Sequence, residues 1–339
     1  MSTLYVAGSV VPRRGIRLSP GAVRVEGDRI TWVGAPDAAP AAEHRLELGG
    51  ATLLPGLVNA HSHLDLTHLR GQVPYRGEFA AWLASIRSRR TDAGVREAAA
   101  AGIHEAVGRG TTSFGDFVSP QTFPAVVDAF AQTGARGRLF VEAVGFRPDG
   151  ADAAFERVWE LVEMQALPAG LVTGLGPHAP YSVSRELLQR MVAVADGHGR
   201  PLAVHVGETL EELAFLRHGI GPLRELLRRL GADDPGHRPY GSVPAFLEQL
   251  ELQDAPLLLV HANYVRPRDV PAAAFVVYCP TAHAFFGHPE HPALEFIEAG
   301  VRVALGSDSA ASGPSVDVWS EIRHLARARP DLDPAALFR

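Results

Sequence analysis

The segment ATLLPGLVNAHSH (51–63) decides how the rest of the chain is read. It is apolar up to Val58 and then places two histidines one residue apart, His61 and His63. An extended strand sends alternate side chains to the same face. At a strand end, His61 and His63 therefore point the same way, a geometry that suits two ligands on one metal ion. A turn carrying two surface histidines fits the fragment equally well, so the remaining sequence must choose.

Seven further apolar runs follow: TTSFGDF (111–117), GRLFVEAVGF (137–146), LVTGLGPHA (171–179), PLAVHVGE (201–208), APLLLVHA (255–262), AAFVVYCP (273–280) and VRVALGSD (301–308). Amphipathic stretches such as RELLQRMVAVADGHG and LEELAFLRHGIGPLRELLRRLG separate them. Parallel strands covered on both faces read as near-continuous apolar runs joined by helices. Eight such units, counting ATLLPGLVNA (51–60), predict a (β/α)8 TIM-like barrel. Every run ends in a polar or ionisable group: His61 and His63, Asp116, Glu142, His178, His205, His261, Thr281 with His283, and Asp308. The C-terminal strand ends of such a barrel form its active face. Charge there is costly to bury without a partner, which argues for a chemical role.

Ahead of the barrel, LYVAGSV, AVRVEG and RITWVG read as short strands, with Glu26-Gly27-Asp28 as a hairpin signal. We expect residues 1–50 to form a small N-terminal β-layer, part of a composite sandwich, and 51–339 to form the barrel, cut short before its closing C-terminal strands.

Composition excludes several chemistries. A net charge of −6 gives no basic footprint for nucleic acid or an anionic membrane. No apolar stretch is long enough for a membrane span, and MSTLYVAGSV is no signal peptide; a cytoplasmic protein is expected. The single cysteine, Cys279, rules out an internal disulfide and a multi-cysteine zinc site, and it reads as a small buried strand residue. Lysine is absent, all 32 basic residues being arginine. No Schiff base, phosphate-loop lysine or carboxylated-lysine metal bridge can form.

His61, His63, His205 and Asp308 stand out as metal-ligand types, suiting zinc and also iron. Singly, each has a dull explanation, a core histidine or a turn aspartate; together they share one predicted rim. The ordered set HSH (61–63), PHAPYS (177–182), HVGET (205–209), HA (261–262) and GSDS (306–309) resembles the amidohydrolase superfamily in its mononuclear deaminase branch. The resemblance implies one Zn or Fe ion on His61, His63, His205 and Asp308. It implies catalytic roles for Glu208, as proton carrier to the ring nitrogen and the leaving amine, and for His261 and Asp308, at the hydrolytic water. It also implies a substrate contact by His178. Glu208 equally suits the first turn of the following helix, where an acid favours the helix dipole.

CPTAHAFFGH (279–288), HVGETLEELAFL and HSHLDLTHLRGQVP with FAAWLASIR resemble the aminodeoxyfutalosine deaminases of menaquinone biosynthesis, which hydrolyse a 6-aminopurine nucleoside derivative and release ammonia. On that resemblance His283 and Phe285 join His178 and Glu208 as substrate contacts, and a homodimer is expected. Phe285 and Phe286 equally suit an apolar loop core. The alternatives are a methylthioadenosine or adenosylhomocysteine deaminase, a triazine- or guanine-type amidohydrolase, and a metal-free scaffold of the same fold. A carboxylate-bearing substrate calls for an arginine, with Arg87, Arg147 and Arg217 as candidates. His68, His104, His198, His218, His237, His288 and His291 read as surface or loop histidines.

Overall fold

The computed structural model describes residues 1–90, 94–164 and 166–330. The chain divides into two compact units, Leu57–Leu325 and Met1–Gly56 with Ala326–Pro330.

The smaller unit is built from β1 (Ser2–Ala7), β2 (Ser9–Arg13), β3 (Ile16–Leu18), β4 (Gly21–Glu26), β5 (Arg29–Gly34), β6 (His44–Glu47) and β7 (Thr52–Leu53). One sheet has the order β5-β4-β1-β6 and a second the order β3-β2-β7. The expected hairpin is present: β4 and β5 pair antiparallel with Glu26 opposite Arg29. Gly27, at φ +61°, supplies the left-handed backbone of the two-residue turn. Alternation along β1 turns Leu4 and Val6 into a small apolar cluster with Ala22.

The larger unit is a barrel of eight strands: β8 (Leu57–Ser62), β9 (Thr111–Val118), β10 (Arg136–Ala143), β11 (Leu171–Pro177), β12 (Leu202–Val206), β13 (Leu257–His261), β14 (Ala274–Tyr278) and β15 (Arg302–Leu305). All eight apolar runs therefore contribute a strand, in sequential order and with parallel pairing. The first run differs in one respect. It is split into β7 and β8 around Pro55, which has no N–H to give to a ladder.

The barrel closes at the rim. Ser307 and Asp308 both donate their N–H to the carbonyl of His61, at 2.9 and 3.1 Å, and the His63 N–H reaches the Asp308 carbonyl at 3.3 Å. Asn59 fastens the same seam. Its amide donates to Ser307 Oγ (2.7 Å) and the Val316 carbonyl (3.1 Å). Its carbonyl accepts from the N–H groups of His61 (3.3 Å) and Ser307 (3.1 Å). Inside the barrel Phe117, Phe140, Ala203, Val260, Val277 and Cys279 pack together, and a larger apolar layer lies between strands and helices.

The amphipathic stretches are helices. Ser184 caps Arg185–Gly197 through a 3.2 Å bond from the Leu187 N–H. The stretch from Leu210 makes two helices, Leu210–His218 and Pro222–Arg229, parted where Gly219 turns left-handed at φ +64° and Pro222 begins a new first turn. No helix among the described residues is long and apolar enough to cross a membrane.

Candidate active site

The polar strand ends meet at one mouth of the barrel. His61 and His63 leave β8 with ring centroids 4.9 Å apart. Their Nε2 atoms stand 3.5 and 3.8 Å from one oxygen of Asp308, Oδ1. The other oxygen, Oδ2, accepts a 2.6 Å bond from Ser312 Oγ, so Oδ1 is turned toward the histidines. The His61 ring lies 4.9 Å from that of His205 and 5.6 Å from that of His261.

Two sets share His61. His61, His63 and Asp308 each offer a ligand atom within 4.8 Å of the others, and so do His61, His205 and His261. Burial lowers the pKa of His61, His63 and His261 well below the imidazole range, and that of His205 to about 4, so lone pairs rather than charges face inward. His205 gives its Nδ1–H to the His178 carbonyl at 2.8 Å, which leaves Nε2 as the donor atom to the cluster. Both ring nitrogens of buried His61 lack a hydrogen-bond partner among the described residues. Orphaned buried nitrogens are expensive, and a cation among them removes the cost. The cluster can hold a metal ion.

Glu208 follows β12, buried, with Oε1 3.6 Å from His261 Nε2. Burial, with Asp308 and Glu212 adding, raises its carboxyl pKa well above the usual range. Its backbone is held by Glu212, whose two oxygens accept the N–H groups of Gly207 (2.7 Å) and Glu208 (2.9 Å). Thr209 closes the motif by accepting the Glu212 N–H at 3.1 Å. Burial raises Glu212 itself to about 7. The neighbouring Glu211 serves another element, accepting the Phe79 and Ala80 N–H groups at 2.6 and 3.0 Å at the start of helix Phe79–Arg89.

The backbone is strained here. Among the described non-glycine residues only His261 (φ +68°), Ala262 (+53°) and Asp308 (+55°) are left-handed. Such conformations persist where surroundings impose them, and they gather at functional sites. His291 supports one of them, with Nε2 2.8 Å from the His261 carbonyl. Of the surface or loop position expected for His291, the loop is as expected and the surface is corrected: the residue is 5% exposed and stacks on Tyr278 at 3.8 Å.

His178 sits after β11, its Nδ1 2.7 Å from Ser182 Oγ and its Nε2 3.9 Å from Glu142 Oε1. Asp116 accepts from Ser62 Oγ and the Leu64 N–H, at 2.7 and 2.9 Å, and so braces the loop after His63. His283 stands apart from the cluster, half-buried, with Tyr278, His288 and His291 as ring neighbours. Phe285 is half-buried and lies with Tyr75, Trp82 and Phe286 in an aromatic group. Cys279 is buried directly after β14.

The three arginine candidates, Arg87, Arg147 and Arg217, are exposed. Arg90 is paired with buried Asp65 and acts on Glu142, His178 and His63 through space. It follows helix Phe79–Arg89, and no local pattern marks it out from the neighbouring arginines.

Residues 52–339 match the amidohydrolase family. The chain is 34% identical to an aminodeoxyfutalosine deaminase of Deinococcus radiodurans, over 95% of this chain and 79% of that protein. It is 30% identical to a 5-methylthioadenosine/S-adenosylhomocysteine deaminase of Halobacterium salinarum, over 96% of this chain and 73% of that one. Among solved structures, an adenosine deaminase from Xanthomonas campestris with bound zinc superposes with a TM-score of 0.76 at 26% identity, covering 99% of this chain and 77% of that one. The chain belongs to the amidohydrolase family and is a hydrolase acting on a carbon–nitrogen bond.

Proposed function

We propose that this enzyme deaminates a 6-aminopurine nucleoside derivative, with aminodeoxyfutalosine as the leading substrate and one zinc ion held by His61, His63, His205 and Asp308. The observation that carries the reading is the pairing of buried Glu208 with His261, at 3.6 Å, beside the cluster of His61, His63 and Asp308. A divalent ion bound there supplies hydrolytic water with its pKa lowered to about 7.

The chain's own groups handle the protons. Glu208, its carboxyl pKa raised well above the usual range by burial, gives a proton to the ring nitrogen beside the amine-bearing carbon. His261 stays neutral and accepts a hydrogen bond from the attacking water, which fixes the water's orientation. Asp308 takes up the first proton that the water loses. Glu208, emptied at the ring nitrogen, collects the remaining hydroxyl proton as the carbonyl forms and passes it to the departing amine, so that ammonia leaves and the proton on Asp308 restores Glu208. His178, His283 and Phe285 are assigned to substrate binding. The 34% identity to an aminodeoxyfutalosine deaminase supports naming that substrate first, and the 30% identity to a 5-methylthioadenosine/S-adenosylhomocysteine deaminase makes those two compounds the alternative.

Ammonia release from these three compounds by zinc-loaded protein tests the proposal. We expect the highest kcat/KM with aminodeoxyfutalosine. Release of ammonia from none of them would reject the reading.

A further inference from the structure

At the far side of the mouth, a buried carboxyl oxygen and a ring nitrogen face each other beyond hydrogen-bond distance. Glu142 ends β10, is 4% exposed, and its Oε1 finds no hydrogen-bond partner among the described residues. It looks across 3.9 Å to His178 Nε2. The tautomer of that ring follows from its surroundings. Ser182 Oγ donates to the Ala179 carbonyl at 3.1 Å, so it accepts from His178 Nδ1–H at 2.7 Å and leaves Nε2 as a lone pair. A buried carboxyl oxygen without a partner, beside a half-buried ring nitrogen, calls for a ligand that brings hydrogens.

Position along the mouth says which part of a ligand arrives there. Strand order runs from Glu142 on β10 through His178 after β11 and His205 on β12 to His261 on β13. Glu208 and His261 work on the reacting carbon–nitrogen bond; Glu142 and His178 lie on the other side of His205. They meet the portion of the substrate remote from the leaving amine, which in a nucleoside is the sugar.

We propose that Glu142 is a specificity residue that accepts a hydrogen bond from a sugar hydroxyl of the substrate, with His178 Nε2 as the second acceptor. The assignment rests on the nucleoside reading above. Glu142, His178 and His205 also lie close enough together to suggest a second cation. The Arg90 guanidinium, acting on both Glu142 and His178, opposes one. A neutral hydroxyl meets no such repulsion. A site built to bind a hydroxyl discriminates strongly against analogues that lack it, because its buried acceptors are then left unpaired.

The test compares 5′-methylthioadenosine with its 2′,3′-dideoxy analogue on zinc-loaded wild type, Glu142→Gln and Glu142→Met. We expect the wild type to favour the hydroxylated compound at least tenfold in kcat/KM. Both variants should lower that ratio about tenfold, mainly through KM, with zinc content held at one equivalent. Calorimetric binding of 5′-methylthioinosine and its dideoxy counterpart should show the same collapse. Equal losses on both compounds would reduce Glu142 to a structural role and overturn the proposal. Two zinc equivalents in the wild type falling to one in Glu142→Gln would replace it with a cation site. If no compound is deaminated, the nucleoside reading of the reaction fails, and the calorimetric ratio still judges Glu142.

Discussion

Glu212 accepts the backbone N–H of Glu208 at 2.9 Å, one buried carboxyl group fixing the stem of another. With Gly207 on the second oxygen, removal of the Glu212 carboxylate leaves two buried N–H groups unpaired. We expect Glu212→Ala to cost about 1–3 kcal/mol in urea unfolding. Its kcat should fall roughly 10- to 100-fold, with KM moving less, because a misplaced proton carrier loses rate steeply. Glu212→Gln, which keeps one acceptor oxygen, should fall between the two. A kcat equal to wild type in a folded Glu212→Ala protein would show that the Glu208 stem needs no such support.

Glu208 itself separates chemistry from metal binding. Glu208→Gln should keep zinc stoichiometrically and lose about 100-fold or more of kcat. Metal analysis beside an ammonia assay reads both quantities. Residual turnover near the wild-type level would remove Glu208 from proton transfer.

Ser312 turns one oxygen of Asp308 toward His61 and His63. Groups that orient a ligand commonly contribute 10- to 100-fold in metal affinity. Ser312→Ala should weaken zinc binding by that order in competition with a chromogenic chelator, while circular dichroism stays unchanged. Unaltered affinity would mean that backbone strain at Asp308 aims the carboxylate unaided.

Glu321 supplies the pH dependence. It is 0% exposed and accepts from the Thr281 N–H at 2.8 Å and Oγ at 2.6 Å, and burial raises its pKa from the ordinary 4.5 to about 8. Between these two values the folded chain holds a proton that the unfolded chain has released. Stability from this group is therefore highest in mild acid and drains away as pH rises through the window, by up to about 1.4 kcal/mol per unit. Urea unfolding of wild type and Glu321→Gln at pH 5.5, 6.5 and 7.5 should show the wild type losing stability relative to the variant as pH rises. Parallel curves would show that the carboxyl titrates alike in both states.

Asn59 tests closure of the barrel. Asn59→Ala strands the N–H groups of His61 and Ser307 and the Val316 carbonyl, all at the seam. We expect a loss of about 2–4 kcal/mol and a lower Tm by calorimetry. A change within 0.5 kcal/mol, the usual range for a surface residue, would show that the backbone bonds alone hold the ends together.

The eight strands were legible because a parallel strand covered on both faces must be apolar along its length, and each run is. The boundary inside ATLLPGLVNA was visible only as Pro55 and became a break between two sheets. His61 and His63 declared themselves by spacing, and Asp308 by ending a run. Asn59 did not, because its partner Ser307 is 248 positions away and nothing local requires an asparagine. Arg90, just after a helix that carries Arg87 and Arg89, looks like any of these arginines until the fold sets it against Asp65. Glu142 was visible as a polar strand end, but that its Oε1 has no hydrogen-bond partner among the described residues is a property of the assembled mouth. His291 misled because a histidine between prolines in a loop looks exposed; its stacking on Tyr278 comes from the chain folding back onto the end of β14, 13 positions earlier.

Glu211 and Glu212 are consecutive residues of one short helix, yet they grip different parts of the molecule. One holds the first turn of the helix that leads to Arg90, the other the peptide that bears Glu208. A disturbance of that single turn would slacken both ends of the binding cleft together. Evolution toward a bulkier substrate thus has little freedom to relax one wall and spare the other, and change should come more readily through the loops opposite.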